Sequence, residues 1–183
     1  IYQDIKIEGS TYLSGSGRPT NTITTIMYGQ ADVKFIPEQT PWQANANGTL
    51  STNVAWNYTM GYHFTPQRSG RITGLGGFFN GTKTVSLWNK ATGALLSQAQ
   101  VTATNTWGYT SITPVNVVAG TTYTVAVALA GSGGSYRTGI LSLPRIYNDV
   151  KIEGTTYLSG NGRPTNNITT GMYGQTDVKF IPQ

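Results

Sequence analysis

TTYTVAVALA, residues 121–130, has the plainest strand pattern in the chain, because bulky residues alternate in it with small or polar ones. The bulky face consists of Tyr123, Val125, Val127 and Leu129. YTMGYHFT, residues 58–65, alternates in the same way and predicts a second, half-buried strand. Each of these strands needs partners on a sheet, and the sequence on either side supplies them.

Short strands separated by turn residues continue along residues 71–143. Pro114 would confine its own strand to a sheet edge or a bulge, because proline cannot donate to a hydrogen-bonded ladder. The further predicted elements are strands at 71–79, 84–89, 94–103, 109–117 and 138–143, a hairpin turn at 89–93 and a flexible loop at 131–135. Seven or eight strands with turn signals roughly every 8–12 residues predict an all-β fold. We expect an antiparallel β-sandwich, Ig-like or jelly-roll-like, with a barrel as the alternative.

The two ends of the chain carry the same 37-residue sequence. Residues 1–37, IYQDIKIEGSTYLSGSGRPTNTITTIMYGQADVKFIP, return at residues 146–182 with thirty of thirty-seven positions identical. Self-similarity at a fixed offset, here 145 residues, indicates a repeat array. The predicted division is a first repeat copy at 1–38, a central β-sandwich at 39–145 and a second repeat copy at 146–183. This layout is typical of a unit from a tandem polypeptide, or of a subunit whose two ends have equivalent roles in an assembly.

Charged and apolar residues alternate in DIKIEG and DVKIEG near the start of each copy, and in DVKFIP near its end. Paired antiparallel, these strands would set opposite charges across from one another and bury one apolar row. Three short strands in about 37 residues are too few to fold alone, so each copy must pack on the central sandwich, the other copy or a neighbouring chain. The predicted assembly residues are Asp4, Lys6, Glu8, Asp32, Lys34, Phe35, Asp149, Lys151, Glu153, Asp177, Lys179 and Phe180.

The acidic residues are confined to the repeat copies and their border, and residues 39–145 contain no Asp or Glu. This distribution disfavours paired-carboxylate catalysis and a central calcium site, and gives His63, the single histidine, a structural or surface role. The six Lys and Arg residues of the centre form no cluster, which disfavours nucleic acid as a partner. The chain has no Cys and no apolar run near 18 residues. We therefore expect no catalytic residue, metal site, cofactor or membrane insertion.

Aromatic residues are the remaining candidates for a binding site. Trp88 has the sequence context of a core residue, as large aromatic side chains in sandwiches usually do. Trp42, Trp56 and Trp107 fall in loop-like or edge-like contexts. We name these three as candidate ligand-binding residues, because an exposed indole offers a flat face on which a sugar ring can stack.

Residues of about 55–130 carry a resemblance to a known family. The segments that carry it are YTMGYHFTP, ITGLGGFFN, TVSLWNKATGALLSQAQV and TSITPVNVVAGTTYTVAV. They resemble a family of bacterial extracellular modules known only as a domain of unknown function. The resemblance implies a β-sandwich appended to large secreted or surface proteins, sometimes beside carbohydrate-active ones, and it supplies no catalytic residues. The repeated 37-residue flank is not part of it.

Taken together, these observations predict a non-enzymatic, extracellular or cell-surface structural or adhesive repeat unit. Its flanking repeats would build a filament or a tandem array by contacting other copies of the same unit. One alternative is a carbohydrate-binding module that holds a secreted protein on polysaccharide. A second is the shaft of a phage tail fibre, since Gly-, Thr- and Asn-rich repeats also occur there.

Overall fold

A computed structural model describes residues 10–12, 16, 21–23, 36–168 and 170–183. The chain divides into two compact units, Ile1–Ile36 and Pro37–Gln183. In the first unit, strands β1 (Ser10–Tyr12) and β2 (Asn21–Ile23) pair antiparallel.

The second unit contains eleven described strands and one turn of 3-10 helix at Gln43–Asn45. The strands are β3 (Thr49–Val54), β4 (Tyr58–Pro66), β5 (Gly70–Asn89), β6 (Leu95–Val117), β7 (Tyr123–Ala128), β8 (Gly134–Thr138), β9 (Arg145–Tyr147), β10 (Val150–Ser159), β11 (Asn166–Ile168), β12 (Gly171–Tyr173) and β13 (Thr176–Pro182). They form an eight-stranded sheet along the order β11-β10-β4-β7-β5-β13, with β6 on β5 and β9 on β10, and a three-stranded sheet β12-β8-β3. The fold is an all-β sandwich of antiparallel sheets, as the sequence predicts.

The long hairpin of β5 and β6 connects the two layers of the sandwich. The first part of β5, from Gly70 to Gly77, pairs with β13, whereas its last part, from Thr84 to Asn89, pairs with β7. The sequence predicts four separate strands here, and that prediction is wrong. Asn80, Gly81 and Asn105 are typical turn residues, but here they lie at a register shift and at positive φ angles of 91° for Gly81 and 55° for Asn105. They bend a continuous hairpin instead of ending its strands.

Several predicted elements are confirmed. Strand β7 is buried along its length and lies at the centre of the large sheet. The NKATG turn joins β5 to β6 through a hydrogen bond from the Asn89 amide to the Ala94 carbonyl. Pro114 lies on β6, whose one described partner is β5, so proline does occupy an edge. The strand predicted at 138–143 is wrong, because β8 begins inside the predicted loop and ends at Thr138.

Strand β4 is buried on both faces, which corrects the exposed surface position predicted for one face of the strand. His63 is only 4% exposed. It lies between Gly154 of β10 and Thr124 of β7 in the sheet, and its Nδ1 is 2.8 Å from the Thr124 hydroxyl oxygen. Burial, together with the charge of Lys90, lowers the pKa of His63 to about 4.

The second repeat copy lies within the sandwich. Strand β10 pairs with β4 and strand β13 pairs with β5, so residues 146–183 share one compact unit with the central strands. The predicted boundary at 145/146 therefore does not separate two compact units. The DVKIEG and DVKFIP strands were predicted to pair with each other, but each pairs with a different central strand. Among the described residues, no helix is long and apolar enough to cross a membrane.

Candidate functional site

Residues 146–182, which we call the closing segment, complete the sandwich at two separate places. Strand β10 covers the edge of β4 from Pro66 to Tyr58, with one bulge between Ile152 and Gly154. Strand β13 covers the edge of β5 from Gly77 to Gly70. Main-chain pairing of this extent satisfies backbone groups that an open edge would leave unpaired.

Asp177 is the chemical centre of the contact between the closing segment and the rest of the sandwich. Its carboxylate is fully buried and accepts five hydrogen bonds. Backbone amides of Trp42 and Gln43 donate over 3.2 and 2.7 Å. The hydroxyls of Tyr62 and Tyr109 donate over 2.8 and 3.1 Å. The donors therefore come from three parts of the chain far apart in sequence.

Burial sets the electrostatics of this carboxylate. It raises the pKa of Asp177 to about 6, although the amides of Gln43 and Trp42 and the Tyr62 hydroxyl favour the charged form. Burial and the negative charge of Asp177 also raise the pKa of Tyr62 and of Tyr109, so both phenols stay protonated and donate. The sequence places Asp177 on the charged face of a predicted assembly strand, whereas the structure buries it fully.

Trp42 belongs to the same buried contact, so its prediction as a ligand-binding residue is wrong. The side chain is 0% exposed, and its indole Nε1 donates to Gln175 Oε1 over 2.9 Å. Gln175 in turn donates to the Met172 carbonyl over 2.7 Å. Trp42 thus anchors the segment that precedes β3 onto the closing segment.

Half-exposed polar contacts surround the buried ones. Gln39 exchanges two backbone hydrogen bonds with Phe180, and its side chain donates to Asp149 over 2.7 Å. Lys179 forms an ion pair with Glu38 at 2.8 Å. Such exposed pairs contribute little to the free energy of unfolding. The buried contacts at Asp177 therefore contribute more to holding the closing segment in place.

The structure divides the predicted assembly residues into three groups. Asp177 and Phe180 are buried in the sandwich. Asp149, Lys151, Glu153 and Lys179 are half-buried, and Lys151 pairs with Glu153 at 2.9 Å within its own strand. Six predicted residues lie outside the described residues, namely Asp4, Lys6, Glu8, Asp32, Lys34 and Phe35. No assembly contact between chains is tested for any of them.

An aromatic cleft forms where the closing segment meets β4 and β8. Trp56 lies 5.0 Å from Tyr136 and 5.7 Å from Tyr173 between ring centres. Tyr136 and Tyr173 are stacked at 5.3 Å with an angle of 5° between their planes. The open cleft has a volume of about 510 Å³ and is lined by Trp56, Tyr58, Met60, Tyr157, Asn167, Ile168, Thr170 and Tyr173.

Of the three predicted tryptophans, only Trp56 lines this cleft. Trp107 is half-buried elsewhere, stacked on Tyr109 at 6.4 Å and edge-on to Phe78 at 5.9 Å. Trp88 is buried, as expected. The sequence analysis missed Tyr136, Tyr157 and Tyr173 because they come from strands that meet only in the folded chain. The MYG motif that both copies share was the one available signal for Tyr173.

The described residues hold no group of three or more His, Cys, Asp or Glu side chains that could bind a metal ion. Asp177 and His63 are buried titratable groups of the kind that can act as an acid or a base. Their ring and carboxylate atoms contact protein donors or acceptors within the core and not the aromatic cleft. The cleft itself offers aromatic faces, the amide of Asn167, the hydroxyl of Thr170 and the phenol groups of three tyrosines.

A family model matches residues 44–175 of the chain, which is more than half of its length. The match begins before the predicted limit of residue 55 and runs through β12, so it includes most of the closing segment. This corrects the expectation that the repeated flank lies outside the family. No curated protein matches the chain. Because the family model covers the body of the sandwich and most of the closing segment, the chain belongs to the family described as Domain of unknown function (DUF4082).

Proposed function

We propose that the chain is a non-enzymatic, extracellular structural or adhesive repeat unit that functions in a tandem array of sandwiches. One observation carries the proposal. The second copy of the repeat is the closing segment of a sandwich, and the same 37-residue sequence occurs once more at residues 1–37. A sequence that closes one sandwich and is present twice implies that more than one sandwich needs closing.

The residues that make the buried contacts of the closing segment support this reading. Asp177, Gln175 and Phe180 have identical counterparts in the first copy, Asp32, Gln30 and Phe35 in the same order. Strands β1 and β2 also repeat the register of β10 and β11, because Ser10 pairs with Ile23 as Thr155 pairs with Ile168. The two copies thus share the pairing of these two strands.

The array geometry follows from the boundary between the two compact units, which falls at Ile36/Pro37. The first copy ends at Pro37, and Gln39 already pairs with Phe180 in the second unit. A closing segment is thus followed in the sequence by the next sandwich with almost no linker.

The test is a chain with one added period, residues 1–182 followed by residues 38–183. We expect the added period to fold, with unchanged β content per residue and a larger maximum dimension by small-angle scattering. The matched control adds residues 38–145 only, which lack the closing segment and should not fold. An added full period that stays unfolded would overturn the repeat-unit proposal.

A second candidate function is carbohydrate binding, because one observation favours it. The cleft places the aromatic side chains of Trp56, Tyr58, Tyr157 and Tyr173 beside Asn167 and Thr170, the combination of apolar surface and few polar groups typical of ligand sites. In this reading the array would display many weak sugar sites, whose avidity grows with their number.

A further inference from the structure

One of the seven differences between the repeat copies places a bulky side chain where the closing segment has no room even for a Cβ atom. Gly171, in β12, has Ile26 as its counterpart in the first copy. We propose that this position is the specificity-determining residue that directs each repeat copy to a different sandwich. The proposal rests on the proposed function and names the partner of residues 1–37 as a second sandwich of the same kind.

Gly171 lies against the backbone of its neighbouring strand. It pairs with Thr138 of β8, and a Cβ atom added to it would lie 2.5 Å from the Arg137 carbonyl oxygen. The same atom would lie 3.1 Å from a ring carbon of Tyr173. The carbonyl belongs to β8, which pairs with β3 on its other side and is held in place there. An isoleucine is β-branched and brings three carbons beyond that Cβ, so residues 1–37 cannot take the register of the closing segment without displacing β8.

The other differences at buried positions are smaller. At the buried positions, Val150, Thr155 and Thr176 have Ile5, Ser10 and Ala31 as counterparts, which change the side-chain volume by about one or two non-hydrogen atoms. The buried residues without change are Tyr147, Ile152, Thr156, Pro164, Met172, Gly174, Gln175, Asp177, Val178, Phe180 and Pro182. Residues 1–37 therefore retain what a closing segment needs, apart from the collision at position 26.

Chain connectivity opposes closure of the sandwich by its own first copy. Gln39 pairs with Phe180, whose counterpart in the first copy is Phe35. If residues 31–37 occupied the place of β13, Gln39 would have to pair with Phe35 of its own chain. The chain would then have to reverse direction within residues 36–38. That turn would remove the counterparts of Ile181 and Pro182 from their pairs with Arg71 and Gly70. Closure within the chain would thus lose these pairings, and Ile26 opposes closure of an identical second chain.

The partner of residues 1–37 is therefore defined by its chemistry. It presents donors for a buried carboxylate, as Tyr62 and the Trp42 and Gln43 amides do here, because Asp32 is retained. It also has room for an isoleucine side chain beside the strand equivalent to β8.

Disulfide trapping in the full chain tests the proposal, since the chain contains no Cys. Gly74 and Lys179 are paired on β5 and β13, so G74C/K179C reports occupancy by the closing segment. G74C/K34C reports occupancy of the same place by residues 1–37. We expect the first pair to cross-link within the monomer and the second pair not to cross-link.

The decisive variants exchange the residues at the two positions. G171I should lower the cross-linking rate of G74C/K179C by at least about tenfold, because overpacking of a well-packed core is costly. G171A is the milder variant for the case in which G171I does not fold, and it should lower the rate in the same direction. N161S, which copies another difference between the repeats at an exposed position, is the matched control and should leave the rate unchanged. In the G74C/K34C chain, I26G combined with G171I should produce cross-linked dimers.

Undiminished cross-linking of G74C/K179C in both G171I and G171A would overturn the proposal. So would efficient cross-linking of G74C/K34C while Ile26 is still present, or its absence after I26G is combined with G171I. These results do not depend on whether an added period folds, so they are separable from a failure of the proposed function.

Discussion

Tyr62 of β4 donates a hydrogen bond to Oδ1 of Asp177 in β13 over 2.8 Å, across the fully buried core. Tyr62 belongs to the body of the sandwich, and Asp177 belongs to the closing segment. Among the described residues, all hydrogen-bond donors to this carboxylate are neutral. They alone must therefore offset the free-energy cost of burying its charge.

The first prediction concerns this hydrogen bond. Y62F should lower the free energy of unfolding by about 1.5–3 kcal/mol, because it removes a donor from a buried charged acceptor. Urea denaturation at pH 7 measures the change. Y58F is the matched control on the same strand, where a half-buried tyrosine lines the cleft, and should change stability by less than about 0.5 kcal/mol. Equal effects of Y62F and Y58F would contradict the prediction.

The second prediction concerns pH. Asp177 has a pKa of about 6 in the folded chain against 3.8 ordinarily, so between these values the native state holds a proton that the unfolded state has lost. Its contribution to the free energy of unfolding therefore falls as pH rises from about 4 to 6. His63 acts in the opposite sense, because its pKa is lowered from 6.5 to about 4 and its contribution rises over nearly the same interval.

Single substitutions should separate these opposing contributions. Relative to the native chain, D177N should become more stable as the pH rises from 4 to 6, and H63Q should become less stable. Each relative change in the free energy of unfolding should approach about 1.4 kcal/mol per pH unit. Urea midpoints at half-unit steps of pH provide the measurement. Parallel pH profiles for native, D177N and H63Q chains would show that neither group titrates as described.

The third prediction concerns Gly76, which lies between Asp177 and Tyr109 in the sheet. A Cβ at Gly76 would be 2.2 Å from a ring carbon of Tyr109 and 2.6 Å from the Gly108 carbonyl oxygen. G76A should therefore push Tyr109 off the carboxylate and cost about 2–3 kcal/mol. G154A is the control, since no atom lies within 4 Å of a Cβ at that position. Calorimetry should give a lower melting temperature for G76A than for G154A, and equal melting temperatures would refute the packing described here.

The fourth prediction separates the tryptophans. W56A should weaken retention on a polysaccharide column at least about tenfold if the cleft binds sugar, because a central aromatic side chain dominates such contacts. W107A, which leaves the cleft untouched, should retain binding, and W42A should unfold the chain. The panel includes cellulose, chitin and a bacterial cell-wall polysaccharide. Equal retention of W56A and the native chain on every column would exclude the cleft as a sugar site.

The strands of the body could be predicted from the sequence because alternation is a local signal. The alternation of β7 and of β4 was sufficient to place both, and the Asn89–Gly93 turn was readable from residue types alone. Continuity of β5 and β6 was not readable, since a glycine at positive φ looks the same in a bulge and in a turn. Only the pairing of distant strands distinguishes the two.

The candidate site was less predictable than the fold because its determinants are non-local. Asp177 follows a pattern typical of an exposed ladder charge, and only donors from residues 42, 43, 62 and 109 make its burial possible. The same holds for Trp42 and Trp56, whose sequence contexts are alike although one is core and one lines a cleft.

The pairing of β13 with β5 has a consequence for the order of events during synthesis. Val178 pairs with Leu75, so about a hundred residues leave the ribosome between one strand and its partner. During that interval the edges of β4 and β5 are open to any strand of the right pattern. Residues 1–37 are synthesised first and carry almost the same pairing sequence as the segment still to come. Under the proposal above, Ile26 keeps the first copy of a neighbouring nascent chain from occupying the place of the closing segment.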